Sequence, residues 1–366
     1  SFSSRDETWE QPWGERRLVR DRHEEMLVDI IDDADRSFRL RVRVFDDGLG
    51  FRYEFPEESG LGQVEIVDEL TEFALPAGST AWWIPGRRYN RYEYLYKTGG
   101  FEDIGLAHTP FTIRTPEGTH VSIHEAALVD YAGFVLDQRR DGDFQATLTP
   151  WSDGIRVKTA APFKTPWRTV QIADKATGLL HSSLILNLNE PNKLGDVPWV
   201  EPGKYVGIWW AMHIRQRTWG QGLIHGATTA ATKRYMDFAS KYGFDGVLVE
   251  GWNLGWDGNW MENADLFSFT EPYPDYDLEA LADHATERGV TLIGHNETSM
   301  GVENYERQIE DAFSLYQRLG IGALKTGYVG DETADGHAHH GQYMVRHWKR
   351  VIELAARHGI MLNVHE

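Results

Sequence analysis

Three segments of the chain run through apolar, β-branched residues and then stop on a carboxylate: FDGVLVE at Glu250, VTLIGHNE at Glu297 and IMLNVHE at Glu366. Such runs are the pattern of strands covered on both faces. One buried glutamate is readily explained as a satisfied core group. Three at equivalent strand ends are harder to explain structurally, because each buried charge costs several kcal/mol unless it is paired or binds a cation (~several per ion). Two more segments belong to the series. YVGIWW brings Trp209 and Trp210, and GALKTG brings Lys325. Together the five strand ends carry Trp209, Glu250, His295 with Glu297, Lys325, and His365 with Glu366. Lys325 has a plainer role open to it, the neutralisation of one carboxylate. Clustered carboxylates beside tryptophan fit hydrolysis of glycosides by a pair of carboxyl groups, or calcium held by oxygen ligands, and the two are compatible.

The elements that must position these groups follow from the rest of the pattern. After about residue 204 strands alternate with helices. TTAATKRYMDFASKYG carries an apolar stripe at Tyr235, Met236 and Phe238 and closes at Gly243. DYDLEALADHATERG opens after the cap candidate Asp277 and closes at Gly289. Helices are also expected around NYERQIEDAFSLYQRLG and HHGQYMVRHWKRVIELAARHG. Four consecutive βα units imply a (β/α) barrel or an open parallel sheet, and in a barrel the chemistry sits at the C-terminal strand ends. Five strands are countable where a barrel needs eight.

Before residue 200 the pattern is β. LVDIIDD, FRLRVRVFD, GFRYEFP, HVSIHEAALVD, FQATLTP, WRTVQIAD and SSLILNLN are short runs punctuated by Gly, Asp and Pro, and FRLRVRV alternates one apolar face with one arginine face. A large antiparallel sandwich over 1–203, joined to an α/β domain over 204–366, is the expected organisation.

Composition narrows the function. Acidic residues outnumber basic ones 56 to 37, for a net charge of −19, which argues against a nucleic-acid partner. It suits a neutral substrate or a bound cation, and also fits either a high-salt habitat or an ordinary acidic surface. With no cysteine, disulfides, thiolate metal sites and thiol nucleophiles are excluded. No run approaches the length of a membrane span, and the N-terminus has no signal-peptide apolar region. The 14 tryptophans suit sugar stacking as well as a β-rich core. No phosphate-binding glycine loop and no G-x-S-x-G elbow is present. His337, His339 and His340 cluster in a loop without helical metal-ligand spacing, and read as a polar loop.

The stretches DETWEQPWGE, DGLGFRYEFP, WWIPG, IHEAALVDY, LNLNEP, YVGIWW, FDGVLVEGWN, PYPDYD, GHNETS, NYERQ, KTGYVG and NVHE resemble glycoside hydrolase family 97, bacterial α-glucosidases and α-galactosidases, from residue 5 to residue 366. The resemblance implies an N-terminal β-super-sandwich followed by a (β/α)8 TIM barrel, here cut after about its fifth strand, with the first sandwich strands also missing. It implies that Glu297 and Glu366 act at the general-base position of an inverting α-glucosidase. Trp209, Glu250, His295, Lys325 and His365 would contact an oligosaccharide, and Glu93 and Glu366 would be ligands to Ca2+. The family's retaining branch has an aspartate nucleophile where this chain has ALKTG, so inversion is expected, and the resemblance implies exo-cleavage of malto-oligosaccharides. The alternatives are an α-galactosidase or, if the chain ends at residue 366, a non-catalytic carbohydrate- or calcium-binding remnant. The family's general acid falls beyond Glu366, and its habit implies a periplasmic or secreted protein. Oligomeric state is left open.

Overall fold

The computed structural model describes residues 1–86, 93–140, 142–330, 332–333 and 335–365. The chain divides into two compact units, Ser1–Pro191 with Gly336–Arg346, and Asn192–Asp335 with His347–Glu366.

The first unit is a β-sandwich. A ten-stranded antiparallel sheet runs from Phe2–Glu10 through Leu18–Ile31, Ser37–Phe45 and Gly48–Phe55 to the central strands Trp167–Ala173 and His120–Ala126. A four-stranded sheet that includes Phe134–Arg140 and Asp143–Leu148 faces it. Phe111, Ile113 and Ile123 from the large sheet meet Phe73, Phe134, Leu136 and Phe144 from the smaller one in one buried cluster. The arginine face expected of FRLRVRV is real, and every arginine on it is paired: Arg39 with Asp29, Arg41 with Glu25 and Glu54, Arg43 with Glu25.

SSLILNLN is not the expected strand. Leu184–Leu188 is a short helix, and the i, i+4 pair Leu184 and Leu188 packs on Trp167 and Ala126. Two leucines at helical spacing look the same as a strand's apolar run in a segment too short for periodicity to decide.

The sandwich buries one cation between two carboxylates. Arg168, fully buried, donates Nε and one terminal nitrogen to Glu69 at 2.8 and 2.6 Å, and the other terminal nitrogen to Glu125 at 2.7 Å. Register places Glu125 and Arg168 opposite each other on neighbouring strands. Burial opposes ionisation of Glu69, but the guanidinium outweighs it and holds the carboxyl below its usual range. Burial pushes Glu125 up to about 7 against the pull of Arg168.

The second unit is built on a five-stranded sheet of parallel pairs, in the order Tyr205–Gly207, Gly246–Leu248, Thr291–Glu297, Ala323–Gly327, Met361–His365. Sequential order with a helix between neighbouring strands is a barrel-like arrangement. The helices are Thr229–Tyr242, Leu278–Arg288, Val302–Arg318 and, from His347 onward, the helix Gln342–Arg357. The caps form as expected: Asp277 accepts from the Ala280 amide, and Gly243 and Gly289 close their helices in the left-handed conformation. The stripe on the first helix is shifted by one position. Met236 and Ala239 are buried while Phe238 is exposed. YVGIWW is a strand only to Gly207; Trp209 then caps a short helix, Trp210–His213. Among the described residues, no helix is long and apolar enough to cross a membrane.

Candidate active site

The third strand shows how the sheet aims its side chains. Alternation puts His295 and Glu297 on one face and Asn296 on the other. Asn296 is locked toward the helix layer: its amide donates to Tyr305 Oη at 3.2 Å, and Tyr316 Oη donates to its carbonyl at 2.7 Å. Trp252 Nε1 donates to the His295 carbonyl at 2.8 Å. With Asn296 anchored by two tyrosines of Val302–Arg318, its neighbours can only face the opposite way.

On that face five of the expected residues gather. Lys325 Nζ donates to Glu250 Oε1 at 2.9 Å. His295 Nε2 lies 3.7 Å from the same oxygen, and His365 Nε2 lies 3.6 Å from Glu297 Oε2. The His295 and His365 rings stack at 5.9 Å, and Lys325 Nζ is 6.0 Å from the Trp209 ring centre, which adds the sixth. Glu250 follows its strand by two residues rather than ending it. Gly327 makes the approach of the last two strands possible, because a Cβ there would fall 1.8 Å from the His365 carbonyl oxygen.

The two carboxyls are driven apart. Burial works against ionisation of Glu250, but His295 and Lys325 outweigh it and keep the group below its ordinary range. Since burial drives His295 down to about 3, that imidazole is neutral and Lys325 is the effective cation. Glu297 is pushed up to about 8, first by burial and then by the charge of Glu250. The Ser299 and Val329 amides donate to its Oε1 at 2.7 and 3.1 Å and only partly offset this. The turn that delivers the Ser299 amide places both Ser299 and Met300 at positive φ, 47° and 65°, a backbone cost of the kind concentrated at working sites. Two neighbouring carboxyls with opposite shifts form a pair suited to proton transfer.

The remaining candidates fall elsewhere. Glu366 lies outside the described residues. Glu93 belongs to the sandwich unit, where it is exposed between the strands Thr80–Trp83 and Lys97–Gly99. His337, His339 and His340 also belong to that unit, with His337 stacked on Tyr343 at 4.0 Å and His340 against His108 at 5.4 Å. Among the described residues, the cluster able to bring three ligating atoms within 4.8 Å of one another is His295, Glu297 and His365. Two imidazoles and one carboxylate do not make the oxygen cage that calcium takes, so no chemical step here is routed through that ion. Trp256, which stacks near-parallel on His295 at 5.8 Å, escaped sequence reading; its only signal is the spacing of Trp252, Trp256 and Trp260.

Comparison with known proteins gives the family. A family model described as Glycosyl-hydrolase 97 N-terminal matches residues 1–191, and one described as Glycoside hydrolase 97 matches residues 209–366. A probable retaining α-galactosidase of Streptomyces bingchenggensis is 26% identical over 91% of this chain and 47% of its own length. A retaining α-galactosidase of Bacteroides thetaiotaomicron is 23% identical over 90% and 51%. The chain thus spans about half the length of these curated relatives. A family 97 enzyme of Pseudoalteromonas sp. strain K8, solved with acarbose, is 54% identical, with a TM-score of 0.96 over 100% of this chain and 57% of its own; the E480Q form of a family 97 enzyme from that strain was solved with panose. The chain belongs to glycoside hydrolase family 97.

Proposed function

We propose that the protein carrying this chain is an inverting exo-α-glucosidase acting on malto-oligosaccharides. The observation that carries the reading is Lys325. The retaining branch implied by the resemblance has an aspartate nucleophile on this strand, and here Lys325, in the middle of Ala323–Gly327, is ion-paired to Glu250. In this reading Glu297, with Glu366, takes the proton of the attacking water. Trp209 offers an apolar face to the sugar, and Glu250, His295, Lys325 and His365 hold its hydroxyls. The Pseudoalteromonas relatives support the glucose preference, since acarbose and panose are built on α-linked glucose or its mimic. The second reading, α-galactosidase, is favoured by the names of the two curated relatives. Initial rates on maltotriose and on an α-galactoside separate the two: faster maltotriose hydrolysis is expected, and a preference for the galactoside would replace the first reading by the second.

The calcium requirement is part of this proposal, with Glu93 and Glu366 as two ligands. Chelation is expected to lower activity and melting temperature together, and added Ca2+ to restore both. If neither responds to chelator, the metal role of these glutamates is wrong.

A further inference from the structure

Gln342 is fully buried, although glutamine is mostly an exposed residue. It opens the helix Gln342–Arg357, whose first residues, to Arg346, belong to the sandwich unit. Among the described residues, the partners of its side-chain amide all lie in that unit. Oε1 accepts from Trp151 Nε1 at 3.1 Å and from the Lys158 backbone amide at 2.8 Å. Nε2 donates to Asp130 Oδ1 at 2.9 Å, to the Lys158 carbonyl at 3.1 Å and to the Asp130 carbonyl at 3.3 Å. A side-chain amide has two N–H groups and two lone pairs, and here all four are engaged. Arg346, one turn on, donates to Asp130 Oδ1 at 2.6 Å and to the Lys158 carbonyl at 2.8 Å. The His340 carbonyl accepts from the Gly133 amide at 2.7 Å. Removing one side of so complete a network leaves several polar groups unpaired, so this segment is firmly seated in the sandwich.

The same stretch of chain begins at the carboxylate site. The strand Ala323–Gly327 runs into Tyr328 and Val329, and the Val329 amide is one of the two that hold Glu297 Oε1. The Thr298 amide donates to the Gly327 carbonyl at 3.0 Å. Gly330 lies against Met300, where a Cβ would fall 2.4 Å from the Met300 Cγ. Tyr328 is buried, and its ring stacks on Trp348 at 6.0 Å, a residue further along the helix that Gln342 opens. Gln342 is therefore connected to the amide on Glu297 twice, through the chain itself and through the Tyr328–Trp348 stack.

We infer that Gln342 is a positioning residue for Glu297: its amide seats the segment that follows the fourth strand in the sandwich, and so keeps the Val329 N–H on the Glu297 carboxyl. The inference rests on the reading in which Glu297 takes the proton of the attacking water. It gives the sandwich a part in the reaction without contact with the reacting atoms.

The test measures kcat and KM on maltotriose, well below the melting temperature, for the full-length protein and its Gln342→Ala, Gln342→Glu and Leu136→Ala variants. Leu136 is buried in the sandwich core, so its truncation weakens the same unit without touching the Gln342 contacts. Gln342→Ala is expected to lower kcat by about ten- to a hundred-fold, the scale of a small misplacement of a reacting group, with KM within about twofold. Leu136→Ala should lower the melting temperature and leave kcat unchanged. Gln342→Glu keeps the two accepted bonds and loses the donated ones, so its kcat should also fall. Adding Asp130→Asn returns a donor across that contact and should recover part of the loss. An unchanged kcat in Gln342→Ala, a loss confined to KM, or an equal loss in Leu136→Ala would overturn the inference. If Glu297→Gln proves active, the base reading fails, and amide hydrogen exchange across 328–341 then decides the positioning role. Faster exchange there in Gln342→Ala but not in Leu136→Ala upholds the anchor, and unchanged exchange removes it.

Discussion

Glu297→Gln is expected to lower kcat by about a hundred- to ten-thousand-fold, the usual worth of a positioned proton acceptor, while the protein stays folded. Gln keeps an oxygen for the Ser299 and Val329 amides, so the turn that positions residue 297 survives. What it loses is the ability to take a proton. The same substitution has an opposite effect on stability. Folding raises the Glu297 carboxyl from 4.5 to about 8, so its stabilising contribution is complete below 4.5 and is lost as pH rises through about 8. The Gln variant has no such titration. Its melting temperature should match the wild type at pH 4–5 and exceed it above pH 8. For catalysis the sign is reversed: a base must be ionised, so in this arrangement kcat/KM rises with pH through the region near 8. Rates and melting curves of the two proteins from pH 5 to 9 check all three statements, and an active Gln variant removes Glu297 from the base role.

The second large effect lies in the sandwich. Arg168→Met is expected to destabilise the fold by about 3–5 kcal/mol, the cost of leaving buried carboxylates without their counter-ion. Glu69 loses both of its guanidinium hydrogen bonds, and Glu125 loses one. Tyr131 and Thr71 remain near Glu69, but neither carries charge. The loss should shrink as pH falls, because both orphaned carboxyls can then be protonated. Replacing the whole group, Arg168→Met with Glu69→Gln and Glu125→Gln, should recover much of the stability. Urea denaturation midpoints at pH 5 and pH 8 measure this. A single variant as stable as the wild type at pH 8 would mean that the trio carries little energy.

The parallel sheet was legible because its strands are two-faced apolar runs and its helices carry their own end signals, Asp277 with Gly289 and the closing Gly243. The strand-end rule then located Glu250, His295, Glu297, Lys325 and His365 together. What sequence could not supply was everything that depends on backbone and distance. The amides of Ser299 and Val329 have no residue signature. The Asn296–Tyr305–Tyr316 lock needs the third dimension. Trp256 looks like any core tryptophan until it is seen against His295. Leu184–Leu188 failed for a different reason: five residues are too few for a period of 3.6 to be told from a continuous apolar run.

The central claim, inversion, is most directly tested by a proton NMR time course of malto-oligosaccharide hydrolysis by the full-length protein, read before mutarotation. The arrangement of Lys325, Glu250 and Glu297 predicts that β-glucose appears first. α-Glucose as the first product would contradict it and would require a nucleophile other than the groups described here.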